Sequence, residues 1–191
     1  MRFIGKNRIE IDRELSDLDK FTLDFVKILE KHTKYVIVSG YVSILLGRAR
    51  TSEDVDIIIP RMDANKFFLL FKELKKQDFY CLNAERKKSV FEYIDEHFAV
   101  RFAKKGKVIP NIELKFAKTR FDEISLEKTM AVKLDGVELV ISHLELQIAF
   151  KEQVLKSPKD VEDANHIRTI AKGHLDISLI KKYEAMLHDF H

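Results

Sequence analysis

Ser52-Glu53-Asp54-Val55-Asp56-Ile57-Ile58-Ile59 is the stretch that decides how this chain reads. Val55 to Ile59 is β-branched at every position except Asp56, a composition that predicts a strand. Side chains on a strand alternate faces. Asp54 and Asp56 therefore project side by side, while Val55, Ile57 and Ile59 point the other way into a core. Two carboxylates this close repel each other unless a cation sits between them. Oxygen ligands so placed suit Mg²⁺, although a charged strand end facing water would give the same doublet.

Upstream, Tyr35-Val36-Ile37-Val38 reads as a second β-branched strand. Ser39-Gly40 follows at once, and Tyr41 to Leu46 reads as a short helix ending near Gly47. A small pair between a strand and a helix lets the backbone approach a ligand closely. The helix N-terminus offers free N–H groups to a phosphate. Most Ser-Gly pairs are simple turns, so the order carries the signal. Strand, small pair, helix and the basic loop Arg48-Ala49-Arg50 lead to the Asp-x-Asp strand, with thirteen residues between Gly40 and Asp54.

In that order the chain resembles the nucleotidyltransferase-fold superfamily, the DNA polymerase β-like fold. Val38-Ser39-Gly40-Tyr41 and Asp54-Val55-Asp56-Ile57 match its signature of a hydrophobic strand, Gly-Gly or Gly-Ser, a short gap and Asp-h-[Asp/Glu]-h. A closer likeness is to small stand-alone bacterial and archaeal members, the AbiEii-type toxins and their uncharacterised relatives. Their Arg-x-Thr-x-Asp-h-Asp looks like Arg50-Thr51-Ser52-Glu53-Asp54-Val55-Asp56, with Ser52 in place of Thr. Ser39 stands where the first glycine is usual, and adds a Cβ where phosphates would pass.

The superfamily carries a third carboxylate on a later strand. Glu113, in Asn111-Ile112-Glu113-Leu114-Lys115-Phe116, is the candidate, although the usual residue is Asp. Alternation puts Glu113 and Lys115 on one face and Ile112, Leu114 and Phe116 on the core face; an ordinary solvent-facing Glu fits the same pattern. Near the C-terminus a helix from Leu144 to Lys151 precedes Ser157-Pro158-Lys159-Asp160-Val161-Glu162-Asp163. Ser157 is a good N-cap and Pro158 suits the first helical position. The small family members have a helical Lys followed by Lys-Asp-x-x-Asp, similar to Lys151 and Lys159 to Asp163. The resemblance implies that Lys151 contacts nucleotide phosphates and that Asp160 supports the site, with Asp163 on the same helix face. Acidic residues in a first helical turn also complement the dipole without any ligand.

The resemblance implies transfer of a nucleoside monophosphate from an NTP to a hydroxyl. Two Mg²⁺ or Mn²⁺ ions about 3.5–4 Å apart would be held by Asp54, Asp56 and Glu113, with Glu113 also assisting deprotonation. Ser39, Gly40, Arg50, Ser52, Lys151 and Asp160 would serve the nucleotide. The acceptor stays open between tRNA, a protein and a small molecule. Two other readings stand beside transfer: an inactive Mg-NTP-binding module, suggested by Ser39 and Glu113, and a toxin with an antitoxin partner, suggested by the family likeness alone.

Bulk properties fit one cytoplasmic globular unit. A chain of 191 residues with 46% hydrophobic content can hold one full core and a helical extension. A net charge of +3 does not by itself call for nucleic acid or a membrane surface. Basic clusters at Arg48–Arg50, Arg86–Lys88 and Lys104–Lys107 are the local exceptions. The single cysteine, Cys81, excludes an intrachain disulfide framework and points to a reducing compartment. Met1-Arg2-Phe3-Ile4-Gly5 is not a signal peptide, and no apolar run reaches membrane-spanning length. Walker A, His-Glu-x-x-His, Cys-x-x-Cys and Gly-x-Ser-x-Gly motifs are missing. His166 and His174 read as surface or packing residues. Phe67, Leu70, Phe71 and Leu74 form one helix face and read as core.

The element order predicts an α+β fold: a nucleotidyltransferase fold whose mixed twisted sheet is flanked by helices, with a C-terminal helical part. Helices are expected from Ile11 to His32 (Leu15, Leu18, Phe25 and Leu29 on one face), at 65–76, within 84–96, at 122–128, 142–156, 158–172 and 177–188. Strands are expected near Phe79, at 98–103 and 111–117, and in a hairpin turning at Asp135-Gly136. The expected division is a catalytic domain, 1–141, with its N-terminal helix, and a helical subdomain, 142–191, packed on it.

Overall fold

The computed structural model describes residues 1–188 of the chain. Its centre is a nine-stranded sheet in the order β1-β2-β8-β9-β3-β4-β7-β6-β5. The strands are β1 (Arg2–Ile4), β2 (Arg8–Ile11), β3 (Val36–Val38), β4 (Asp54–Ile59), β5 (Phe79–Cys81), β6 (Val100–Lys104), β7 (Asn111–Phe116), β8 (Thr129–Leu134) and β9 (Val137–Ser142). The sheet is mixed, as expected. β2 with β8, β3 with β9 and β4 with β7 run parallel, and the other neighbours run antiparallel. Asp135 and Gly136 both take positive φ in the β8–β9 turn, the geometry that an Asp-Gly pair adopts most readily.

Among the described residues eight α-helices accompany the sheet: α1 (Asp17–Leu29), α2 (Gly40–Leu45), α3 (Ala64–Lys76), α4 (Lys87–Asp95), α5 (Arg120–Glu127), α6 (Leu144–Phe150), α7 (Pro158–Ile170) and α8 (Ile177–His188). The caps are legible in the residues. Ser16 and Thr119 each form a capping box, with Asp19 and Asp122 reaching back. Asp63 and Ser157 cap α3 and α7, and Pro158 opens α7.

Three expectations need correction. The helix expected from Ile11 begins only at Asp17, because Ser16 supplies the cap and Arg8–Ile11 pairs in register with Ala131–Leu134 as a strand. The hairpin β1–β2 has no local signal: its strands are short, and β8, on which β2 pairs, lies more than a hundred residues away. The helix expected over 142–156 starts at Leu144 and changes to a π-helical turn, Lys151–Leu155, closed by Lys156 in the left-handed conformation. Such a widened turn inserts an extra residue and re-aims the side chains around it.

Two apolar layers sandwich the sheet. Val55, Ile57 and Ile59 of β4 pack with α1, α3 and α4, where Phe25, Leu29, Phe67, Leu70, Phe71 and Leu74 are buried. Ile58 points to the opposite layer, with Val36 and Val38 of β3, Phe121 and Ile124 of α5, Leu146 and Ala149 of α6, and Tyr183 and Leu187 of α8. β4 is therefore buried on both faces beyond Asp56. Cys81 is buried, as expected for a core thiol. No helix among the described residues is long and apolar enough to cross a membrane.

Candidate active site

Sheet register assembles the candidate residues. β3 ends opposite β4 with Val38 paired to Asp56, so the turn at Ser39 begins beside that carboxylate. On the other side of β4, Asp54 pairs with Asn111 and Asp56 with Glu113. Three stretches far apart in sequence meet at one end of three adjacent strands. Alternation then turns Asp54, Asp56 and Glu113 to the same face, the one that carries Ile58.

The electrostatics match this crowding. Burial, then Glu113, then Asp54 push the Asp56 carboxyl up to about 6, while a hydrogen bond from Ser39 and the charge of Lys115 pull it back. Asp54 accepts from the Ser52 hydroxyl at 3.1 Å. Glu113 is engaged across the sheet by Arg101, whose Nε donates at 2.6 Å. Lys115 turns to Asp122, at 2.9 Å. Asn111 Oδ1 is buried beside this edge with no hydrogen-bond partner.

The donor set fits a hard divalent cation: oxygen atoms only, two mutually repelling aspartates, a glutamate in register and an orphaned acceptor. Among the described residues no three acidic, His or Cys side chains already converge on one point. Glu113 is turned to Arg101 instead.

Ser39 and Gly40 occupy the turn expected of them. Ser39 has φ 65° and ψ −136°, a conformation that favours glycine, which is the residue usual there in the family it resembles. Its N–H donates to Gln147 Oε1 at 3.0 Å, and Gln147 in turn donates to Ser142 Oγ. Sequence reading missed Gln147; one buried amide in an apolar helix carries no motif. Gly40 opens α2, and a Cβ built on it would lie 3.0 Å from a guanidinium nitrogen of Arg50. The space that the missing side chain leaves is filled by Arg50.

Arg50 is there because of α7. Asp163, fully buried, accepts from Arg48, Arg50 and Lys151, the last at 2.8 Å. These cations hold its carboxyl below the ordinary range despite the opposing effect of burial. Lys151 is itself fully buried and lies 3.6 Å from Asp160, and Arg48 also reaches Glu162. The sequence put Asp160 ahead of Asp163; in the fold Asp163 is the hub and Asp160 sits at the margin, bonded to its own cap Ser157. The π-helical turn begins at Lys151 and brings it into this cluster.

A second buried carboxylate fixes α2 from the other side. Asp19 accepts from Arg13, from Ser16 and from the Tyr41 hydroxyl at 2.7 Å. Its carboxyl is drawn down to about 2, burial opposing and the hydrogen bonds from Arg13, Ser16 and Tyr41 prevailing. Of the histidines, His166 meets the Leu46 carbonyl at 3.0 Å and His174 stacks on Phe3, both packing roles.

No protein-family model matches the chain, and no curated protein is similar to it in sequence. Solved structures are similar in fold. An antigenic nucleotidyltransferase-like protein from Paracoccidioides brasiliensis superposes with a TM-score of 0.51 at 18% identity, over 90% of this chain and 87% of that one. The enzyme ANT(2'')-Ia, in complex with adenylyl-2''-tobramycin, superposes with a TM-score of 0.55 at 13% identity, over 90% of this chain and 98% of that one. The fold is thus a mixed α/β architecture similar to that of these two structures. At such identities the likeness extends to the fold alone.

Proposed function

We propose that this protein is a nucleotidyltransferase that moves a nucleoside monophosphate from an NTP to a hydroxyl acceptor. The observation that carries the reading is Asp56, raised to about 6 between Glu113 and Asp54 at the end of the strand beside the Ser39-Gly40 turn. Carboxylates arranged to repel one another in a half-buried position are costly unless a cation relieves them. Asp54, Asp56 and Glu113 would hold Mg²⁺ or Mn²⁺, which supplies Lewis acidity toward the attacking hydroxyl and charge neutralisation for the leaving pyrophosphate.

The chain's own residues account for the rest. Gly40 would offer its backbone N–H at the opening of α2, the Ser39 N–H being taken by Gln147, and Arg50 brings a guanidinium to the same point. Ser52 orients Asp54. Lys151 acts at one remove, by fixing Asp163 and through it Arg50. The described part of the segment 142–191 would then serve as a helical wall that shapes the basic side of the site, against the unit formed by 1–141.

Labelled NTPs offered with Mg²⁺ or Mn²⁺ and with RNA, protein and small-molecule acceptors test this reading. Transfer is expected, and Asp56→Asn should abolish it. Transfer that survives Asp54→Asn combined with Asp56→Asn would refute it. One observation favours a second reading, an Mg-NTP binder without transfer: Arg50 already fills the space over Gly40, and Arg101 already pairs with Glu113. Nucleotide binding by calorimetry, with no pyrophosphate released above the double-Asp variant, would decide for it. The toxin reading draws on the two stretches that resemble AbiEii-type toxins, which meet where Arg50 pairs with Asp163. Growth arrest by the wild type but not by Asp56→Asn would support it.

A further inference from the structure

Three clefts, of about 370, 400 and 500 Å³, run together around the C-terminal half of α3, on the side of the sheet away from Asp54 and Asp56. The first and third share Lys76; the second and third share Phe71, Lys75 and Glu85, so they form one continuous concave surface. Lys27 comes from α1 and Lys31 from the turn after it, Lys72, Lys75 and Lys76 from α3, and Lys87 from α4. Lys104 and Lys105 come from the end of β6. Facing these eight lysines are four carboxylates: Asp24, Glu73, Asp78 and Glu85. The surplus of four positive charges exceeds the +3 of the whole chain. Folding has therefore gathered the protein's positive charge onto this surface and left the remainder slightly negative.

How these lysines are held matters as much as their number. Of the eight, Lys104 alone has a carboxylate within 4 Å among the described residues, Asp24 at 3.6 Å. Three lie over aromatic faces: Lys104 itself on Phe79 at 3.9 Å, and the carboxylate-free Lys87 on Phe68 at 4.6 Å and Lys75 on Phe71 at 5.7 Å. A ring face positions an ammonium without cancelling its charge. The concave track thus holds seven lysines without a carboxylate partner among the described residues, two of them positioned by rings. The apolar lining of the track, Phe71 and Phe79, is buried beneath the lysines at the floor of the concavity, where a flat bilayer does not reach; a flexible polyanion can enter such a charged groove.

We propose that this surface binds single-stranded nucleic acid, an RNA strand or end, through its phosphates. The bound strand leaves the track at the loop after Lys104. That loop adjoins Ala103, which pairs with Asn111, which in turn pairs with Asp54. Two strand spacings, about 10 Å along the sheet, separate it from Asp54, whose carboxylate lies on the other face. This course over the ends of β6, β7 and β4 makes a terminal hydroxyl the natural acceptor. That last step rests on the transferase reading; the binding surface itself does not.

The test is anisotropy of a fluorescein-labelled single-stranded RNA over a salt series, without nucleotide or metal. The triple variant Lys27→Gln, Lys31→Gln, Lys76→Gln should weaken binding about tenfold near 0.1 M salt and lower the slope of log K against log salt by about 2. A control triple on exposed lysines elsewhere, Lys133→Gln, Lys172→Gln, Lys181→Gln, should do neither. The inference is overturned by absence of RNA binding, by equal losses in both triples, or by tighter retention on phosphatidylserine vesicles than on RNA. RNA binding retained in Asp56→Asn, with no transfer by the wild type, would remove the transferase reading and leave this one standing. Transfer to a small molecule with no RNA bound would do the reverse.

Discussion

Replacing Asp163 by Asn keeps the shape of the side chain and removes one charge from the centre of the ion cluster. The wild-type carboxylate is fully buried and answers three cations, Arg48, Arg50 and Lys151. Arg48 and Arg50 keep some contact with water, but the Lys151 side chain has none. Its ammonium would be left in the interior with only the more distant Asp160. Removing one partner of a buried pair costs about 3–5 kcal/mol, far more than the 0–1 kcal/mol typical of an exposed pair. For a chain of this size that lowers the melting temperature by about 10 °C. Glu162 pairs with Arg48 from a mostly exposed position, so Glu162→Gln should cost under about 1 kcal/mol. Adding Lys151→Met to Asp163→Asn removes the stranded charge and should recover at least about 1 kcal/mol, a coupling of the size seen between contacting residues. The chain has no tryptophan, so urea unfolding followed by far-UV circular dichroism is the suitable assay. A loss below about 1 kcal/mol for Asp163→Asn, or an equal loss for Glu162→Gln, would show that the cluster is not the buried hub described above.

Asp19 should give a pH-dependent stability term. Its carboxyl is depressed from 3.8 to about 2 in the folded state, so the stabilisation is present above the unfolded value and is lost as pH falls from about 4 to 2. It amounts to about 2 kcal/mol; Asp19→Ala should flatten acid unfolding over that window, and an unchanged acid profile would contradict the assignment. Ser39→Gly should relieve about 1–3 kcal/mol of backbone strain and remove the hydrogen bond to Asp56. Carboxyl-carbon NMR should then show Asp56 titrating above about 6, whereas a downward shift would exclude that bond. Arg101→Ala frees Glu113, so Mn²⁺ binding followed by electron paramagnetic resonance should tighten about tenfold, as for loss of a competing charge; weaker binding would mean that Arg101 orients Glu113 for the metal.

Much of the fold is written locally. The β-branched run at β4, the Asp-Gly turn between β8 and β9, the caps Asp63 and Ser157, and the apolar face of α3 each follow from residues within a few positions of one another. Such features hold because their causes are short-range: pleat alternation, turn dihedrals and orphan N–H groups at helix starts. The Ser39-Gly40 turn and the Asp54/Asp56 doublet belong with them. What failed locally were elements whose cause is distant. β2 exists because β8 offers it an edge and β1 because β2 then does, and the π-helical turn at Lys151 exists within a cluster drawn from three separate segments.

The site divides in the same way. Asp54 and Asp56 could be placed on one face from the sequence by itself, since two residues apart on a strand fixes that relation. Their juxtaposition with Glu113 needed the parallel pairing of β4 and β7, which sets register over a separation of more than fifty residues. Arg50 over Gly40, Gln147 under Ser39 and Asp163 at the hub were decided by tertiary packing, because buried polar groups must find partners wherever the fold brings them. The charge tells the same story. The sequence fixes a net +3, which says little; only folding sorts that charge, placing eight lysines on one concave side. Composition is a sum over the chain, whereas an electrostatic surface depends on where each charge stands.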